Sequence, residues 1–176
     1  MKNQNKTEFI ELYDPIHNQF CKFCRAISGN IDDSNDLIQD AILNVLESFD
    51  KIRDKSAFKS YLFSVASNLN KMKKRRLKFK ADFNEEEIIQ IVDFSQNQEY
   101  LTDFNIIYKN ILLLPQKMSE AIILFHISDM SLVEIQKIQG GSLSGVKLRI
   151  KRGREKILSL LNTPAQLELA LLLLSF

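Results

Sequence analysis

The chain is predicted to be all-α, built as two small helical domains joined by a flexible linker, and three observations predict it. Apolar residues recur at three- and four-residue steps through two long blocks, as they do on helices that bury one face. No stretch of useful length alternates apolar with polar residues as a half-buried strand would, and no internal repeat is present. Between the blocks, Ala81 to Asp103 is acidic, rich in asparagine and glutamine, and loses the period, which reads as a linker with some local helix. The expected organisation is residues 1–80 as a first domain, 81–104 as the acidic linker, 105–162 as a second domain and 163–176 as a leucine-rich C-terminal extension.

In the first block, Phe9, Leu12, Tyr13, Ile16, Phe20, Phe23 and Ile27 mark consecutive amphipathic helices, with Asp14-Pro15 restarting the helix because proline suits a first turn. Gly29-Asn30 should end that segment, and Asp33 or Ser34 should cap the next. Leu37, Ile38, Ala41, Ile42, Val45, Leu46 and Phe49 form its buried stripe, while Asp36, Gln39, Asp40 and Glu47 lie on the opposite face. A polar turn from Asp50 to Lys55 leads to Ser56, the expected cap of a helix carrying Phe58, Leu62, Val65, Ala66 and Leu69.

The second block resumes with Ile106, Ile107, Ile111, Leu112 and Leu114, breaks at Pro115, and continues through Met118, Ala121, Ile122 and Phe125. Leu132 to Gln139, the Gly140-Gly141 turn and a basic helix over about Ser142 to Leu161 then give the pattern of a helix-turn-helix.

The 176 residues are 45% hydrophobic, ample for a core in one domain or two small ones, and the formal charge is only +2. That charge is unevenly spread, since seven of the ten residues from Lys71 to Lys80 are basic while Glu85, Glu86, Glu87 and Asp93 follow. Met1 to Glu11 is polar and carries lysines, unlike a secretion signal, so a cytoplasmic location is expected. The apolar run from Leu167 to Phe176 is about half of the roughly 20 residues a membrane span needs, and reads as a packing or docking helix. No glycine-rich phosphate loop, nucleophile motif or convergent set of carboxylates and histidines is present, so neither catalysis nor a cofactor is expected.

His17, Cys21 and Cys24 have a spacing that can align three metal ligands on one helix face, similar to the zinc motif of a class of anti-sigma factors. Structural zinc takes four ligands, His126 is the only other histidine, and Phe20, Phe23 and Ile27 interleave with the cysteines. Buried thiols without metal are therefore expected.

Two basic segments carry the functional reading. Lys147, Arg149, Lys151, Arg152, Arg154 and Lys156 fall within about three turns of the last basic helix, interleaved with Val146, Leu148, Ile150 and Ile157 facing inward. Such a run suits the major groove and its phosphates; equally, it is the solvated face of an ordinary helix. The segment ending at Lys80 follows Phe58, Tyr61 and Phe63, and rings beside cations suit single-stranded DNA, though the same rings could be core.

A resemblance adds what spacing leaves open. DLIQDAILNVLESFDKIRDKSAFKSYLFSVASNLNKMKKRR, from Asp36 to Arg76, resembles region 2 of the extracytoplasmic-function sigma factors. LLPQKMSEAIILFHISDMSLVEIQKIQGGSLSGVKLRIKRGREKI, from Leu113 to Ile157, resembles their region 4. Together the two matches cover about half the chain, in the family's order. The resemblance implies an alternative sigma factor with no catalysis of its own. It implies that Asp36, Gln39, Asp40 and Glu47 dock on the clamp of the largest subunit of core RNA polymerase, with the flap of the second-largest subunit as a further contact.

It also implies that Lys51, Ile52, Arg53, Asp54 and Lys55 form the loop that captures a base flipped from the minus-ten element. Phe58, Tyr61, at the usual tryptophan position, and Asn68 would join that surface, and Lys71, Lys73, Lys74, Arg75 and Arg76 would hold the DNA beside it. Ser144, Lys147, Leu148, Lys151 and Arg152 would face the minus-thirty-five element, with Arg149 and Arg154 on its phosphates. Gln136 stands where the family has a small alanine, Gly141 replaces an aliphatic residue and Gly145 loosens the helix start. The expected consequence is weak duplex reading, helped by another DNA-targeting partner docked on the C-terminal extension, with an anti-sigma factor as a further partner. The competing reading is a helix-turn-helix regulator that binds duplex DNA without core polymerase; the helix bearing DLIQD and the loop after it argue against that.

Overall fold

Every regular element among the described residues is helical, as the apolar period predicts. The computed structural model describes the backbone of residues 3–81 and 101–174, with side chains over residues 6–76 and 103–174. The expected linker therefore lies largely outside the described residues. The chain forms two compact units, one within Met1–Asp93 and the other within Phe94–Phe176.

The first unit begins with α1 (Asn3–Tyr13), a 3-10 turn at Asp14–Ile16 that carries Pro15, and α2 (His17–Ser28). Gly29 ends α2 with φ of 93°, a conformation that glycine reaches without a Cβ clash. Next comes α3 (Ile31–Ser48), whose cap is Asn30 rather than the expected Asp33 or Ser34. Asn30 Oδ1 accepts from the Asp33 N–H at 2.8 Å, so Asp33 sits inside the first turn and receives the cap instead of supplying it. The turn after α3 differs likewise from expectation: Asp54, not Ser56, provides the capping oxygen, which accepts from the Ser56 N–H at 2.9 Å. A single 3-10 turn then enters α4 (Phe58–Ala81).

Phenylalanine rings lock these helices together. Phe63 of α4 meets Phe20 and Phe23 of α2 at centroid distances of 5.2 and 5.1 Å, and Phe9 of α1 meets Phe58 at 5.3 Å and Phe49 at 5.5 Å. Mostly edge-on, these pairs suit the ring quadrupole and add to the burial of each ring. Asn70, buried on α4, donates to the Ile27 carbonyl at 3.0 Å and so satisfies one of the carbonyls left open at the end of α2.

The second unit comprises α5 (Leu101–Leu113), α6 (Gln116–Ile122), α7 (Leu132–Gln139), α8 (Leu143–Ser159) and α9 (Pro164–Leu174). Beyond α6 the helix widens into a π turn over Ile123–Ile127, in which the Ser128 N–H reaches back to the Ile123 carbonyl at 3.0 Å. α6 packs tightly on α8 at Gly153, where a Cβ would stand 3.0 Å from both Ile122 Cγ1 and Met118 Cγ. The leucine-rich extension packs as α9 against α5 and α8, burying Gln166, Ala170 and Leu174 while Leu171 and Leu172 face outward. No helix among the described residues is long and apolar enough to cross a membrane.

The fit at Gly153 predicts that Gly153→Val wedges α6 from α8 and lowers stability by about 1–3 kcal/mol, read as a lower urea midpoint. An unchanged midpoint would show that α6 and α8 yield freely at this contact.

Candidate nucleic-acid interface

Helix periodicity places Asp36, Gln39, Asp40 and Glu47 on the solvent face of α3, and all four are exposed. Three of them share a groove with α4. Asp36, Gln39 and Asp40 line one wall and Leu69, Met72, Lys73 and Arg76 the other, over Leu37, enclosing about 540 Å³. The acidic face of α3 and the start of the basic run on α4 thus form one continuous surface of opposite charges.

Lys73 is committed across that surface. Its Nζ donates to Asp33 Oδ1 at 2.5 Å, and Asp33 also accepts from Asn30 Nδ2 at 2.9 Å. Partial burial raises the Asp33 carboxyl, but the hydrogen bonds from Lys73 and Asn30 and the Lys73 charge outweigh it, leaving the group below the usual carboxylate range. Lys71, Lys74, Arg75 and Arg76 are exposed.

At the opposite end of α4, the loop of Lys51, Ile52, Arg53, Asp54 and Lys55 divides in two. Lys51, Arg53 and Asp54 are exposed and Ile52 is half-buried. Lys55 turns inward: its Nζ lies 3.3 Å from the centre of the Phe49 ring, donates to the Phe49 carbonyl at 3.2 Å and pairs with Glu8 at 3.7 Å. Tyr61 is 39% exposed and Asn68 is exposed, so both face solvent. Phe58 corrects the expectation drawn for it, because only 2% of it is exposed and its ring belongs to the aromatic core.

The Tyr61 ring is held from below. Ser48 Oγ bonds to the Asn44 carbonyl at 2.9 Å, which uses its single hydrogen, so the Tyr61 hydroxyl donates to Ser48 Oγ at 3.2 Å. This bond ties the ring to the last turn of α3.

In the second unit, Ser142 caps α8 by accepting from the Gly145 N–H at 3.1 Å and bonds to Ser144 at 3.0 Å. Lys147, Leu148, Lys151 and Arg152 project from the exposed side, with Lys151 3.9 Å from Glu155. Leu148 is 45% exposed, so it belongs with these residues and not with the inward Val146, Ile150 and Ile157. The arginines expected on phosphates are both half-buried and tied to other side chains. Arg149 Nη1 donates to Gln139 Oε1, and Arg154 Nε donates to His126 Nε2 at 3.3 Å, with Arg154 Nη2 buried beside it.

Elsewhere, Cys24 is fully buried and Cys21 nearly so, with His17 Nε2 3.7 Å from Cys21 Sγ. Burial, reinforced by the neighbouring Cys21, pushes the Cys24 thiol well up, which favours the protonated form over a metal-binding thiolate.

The bonds made by Asn30, Asp33, Ser48, Asn70, His126 and Gln139 are not marked in the sequence. Most of their partners lie ten or more residues away, where local periodicity carries no signal; the Asn30 cap next to Gly29 was the one legible locally.

His126 is held neutral. Burial, and secondarily the Arg154 charge, lower its pKa from 6.5 to about 4. Between those values the unfolded chain binds the extra proton, so this stabilisation is complete above pH 6.5 and is lost as the pH falls toward 4. His126→Gln keeps an acceptor for Arg154 without titrating, and its melting temperature should fall less than the wild type's between about pH 7 and about pH 5. Equal acid slopes would exclude His126 as the source. The burial of Phe58 gives a second expectation: Phe58→Leu should lower the melting temperature yet leave the affinity of the folded protein for bubble DNA unchanged, whereas Tyr61→Ala should weaken that affinity, by about 1–3 kcal/mol for one lost stack. A loss of affinity in folded Phe58→Leu would return Phe58 to the residues expected to contact DNA.

Comparison with known proteins points in one direction. The family model described as sigma-70 region 2 matches residues 12–79, and that described as sigma-70, region 4 matches residues 104–157. The ECF RNA polymerase sigma factor SigW of Bacillus subtilis (strain 168) is 25% identical over 172 residues, covering 89% of this chain and 90% of the relative. The ECF RNA polymerase sigma factor EcfG of Rhodopseudomonas palustris (strain TIE-1) is 27% identical over 139 residues, covering 79% and 77%. Among solved structures, the sigma factor RpoE of Bartonella quintana, in complex with the anti-sigma factor NepR, superposes with a TM-score of 0.67 at 22% identity, covering 88% of this chain and 94% of that one. CnrH, in complex with the cytosolic domain of CnrY, superposes with a TM-score of 0.61 at 24% identity, covering 90% and 89%.

Proposed function

The chain belongs to the sigma-70 family, as a factor of the extracytoplasmic-function type, and from that membership we propose that it is a promoter-specificity subunit: it binds core RNA polymerase, opens minus-ten DNA with its first unit and contacts upstream duplex with its second. The observation that carries this reading is the α3–α4 surface, where an exposed acidic helix face and a basic helix share one groove. Asp36, Gln39, Asp40 and Glu47 offer polar contacts to the polymerase clamp. Tyr61, Asn68 and the loop residues Lys51, Ile52, Arg53 and Asp54 take the opened strand, and Lys71, Lys74, Arg75 and Arg76 counter its phosphates.

Promoter opening on this reading consumes binding energy rather than chemistry. Extracting a base costs a few kcal/mol in lost stacking and pairing, and an exposed ring such as that of Tyr61 can return about 1–3 kcal/mol by stacking on a base. Catalysis stays with the polymerase. In the second unit, Ser144, Lys147, Leu148, Lys151 and Arg152 face the minus-thirty-five duplex from α8, and the flap of the polymerase would meet the same unit. The domain limits proposed are region 2 over residues 1–80, the linker over 81–104, region 4 over 105–162 and the extension over 163–176. An anti-sigma factor is the regulatory partner proposed, and an accessory DNA-bound partner would find its surface on the outward leucines of α9. The site of action is the cytoplasm, where the polymerase is.

Reconstitution with core polymerase tests the proposal. The wild-type chain should co-elute with core enzyme and support initiation from a template carrying a pre-opened bubble. The double variant Asp36→Lys, Asp40→Lys should lose co-elution, while Lys147→Ala with Lys151→Ala should keep it and weaken only binding to closed duplex. A wild-type chain that binds duplex DNA but not core polymerase would replace this reading with that of a simple helix-turn-helix regulator.

A further inference from the structure

The α7–α8 turn departs from what its glycines suggest. Gly140 and Gly141 have φ of 71° and 88°, and nothing stands within 4 Å of the Cβ position of either, so no apolar side chain pins the turn at these positions. Polar ties hold it instead. The Gly140 N–H donates to the Gln136 carbonyl at 2.8 Å, and Gln136 Nε2 donates to the Gly141 carbonyl at 3.0 Å.

Gln139, the last residue of α7, extends these ties to two further helices. Its Nε2 donates to the Lys117 carbonyl of α6 at 3.0 Å, and its Oε1 accepts from Arg149 Nη1 of α8. The amide has only one orientation that works. Reversing it would set a donor against the guanidinium and an acceptor against a carbonyl. One side chain therefore spans three helices, and it occupies an arginine that would otherwise stand among the cations of α8.

We propose that Gln139 is a positioning residue for α8: it sets the angle of that helix on α6 and α7, and keeps Arg149 off the DNA phosphates so that sequence contacts are not diluted by an unspecific one. This rests on the reading of α8 as the duplex-facing helix. Gln139 touches no DNA itself; it acts through Arg149 and the Lys117 backbone.

The test uses the full-length chain reconstituted with core RNA polymerase, and a duplex selected by the wild-type complex from a random pool, compared with a scrambled duplex. Gln139→Leu should lower the ratio of selected to scrambled affinity about tenfold. It should also steepen the salt dependence of binding by about 0.9 in log–log slope, as the released Arg149 reaches a phosphate. Arg149→Met should leave the slope at its wild-type value, and adding it to Gln139→Leu should return the slope to that value. A mere loss of stability would move the melting temperature without moving the slope.

Arg149→Met also carries the test alone if Gln139→Leu does not fold: a slope flattened by about 0.9 would put Arg149 on a phosphate and overturn the proposal. An unchanged affinity ratio in folded Gln139→Leu would overturn it equally. Lys147→Ala with Lys151→Ala separates the two levels. If that pair flattens the slope while the Gln139 results are negative, only the positioning role fails; if it has no effect, α8 is not the duplex-facing helix and both fail.

Discussion

The contact of Phe63 with Phe20 and Phe23 decides where α4 can lie against α2, and the rest of the first unit follows from it. With α4 fixed, Phe58 closes over Phe9 and Phe49, which draws the end of α3 and the turn after it toward the base of α4. Truncating one such buried ring to alanine costs about 3–5 kcal/mol, against a total stability of only about 5–15 kcal/mol for a domain. The groove between α3 and α4 is therefore a by-product of aromatic packing. Of its polar walls, Lys73 is tied to Asp33, while Asp36, Gln39, Asp40 and Arg76 are exposed.

Among the described residues the second unit has no comparable ring cluster and solves its packing in another way. The approach of α6 to α8 depends on the absence of a side chain at Gly153, and the turn and long helix are tied by amide, guanidinium and imidazole groups. Such ties are directional, so they fix orientation more sharply than apolar contact does, but each depends on every partner remaining satisfied. The π turn at Ile123–Ile127 belongs to this scheme. It ends α6 with His126 facing the guanidinium of Arg154, twenty-eight residues along the chain.

Much of this architecture is legible in the sequence. The apolar period marks the helices, Gly29 and Gly140-Gly141 mark the turns, and the exposure of Asp36, Gln39, Asp40 and Glu47 follows from the stripe of Leu37, Ala41 and Val45 on the opposite side. What escapes is of one physical kind. Phe58 and Tyr61 lie three residues apart on one helix, and period alone cannot say which ring the α1 and α3 aromatics will claim. Arg149 and Arg154 look the same in sequence as Lys147 and Arg152, since a charge run shows how many cations exist but not which of them a distant glutamine or histidine will engage. Capping failed more narrowly, by three residues at α3, because Asn30 and Asp33 both have suitable side chains and only the backbone decides which lies outside the helix.

The bond from Lys73 to Asp33 ties residues 40 apart in sequence, and through them the first turn of α3 to the basic end of α4. Its lasting effect falls on the freedom of the sequence to change. Replacing Asp33 alone would leave the Lys73 ammonium without its acid, whereas replacing Lys73 alone would leave Asp33 only its bond from Asn30, so change at one position is felt at the other. A helix that might otherwise have explored many arrangements of lysine and arginine is in this way held to one register by an acid on its neighbour.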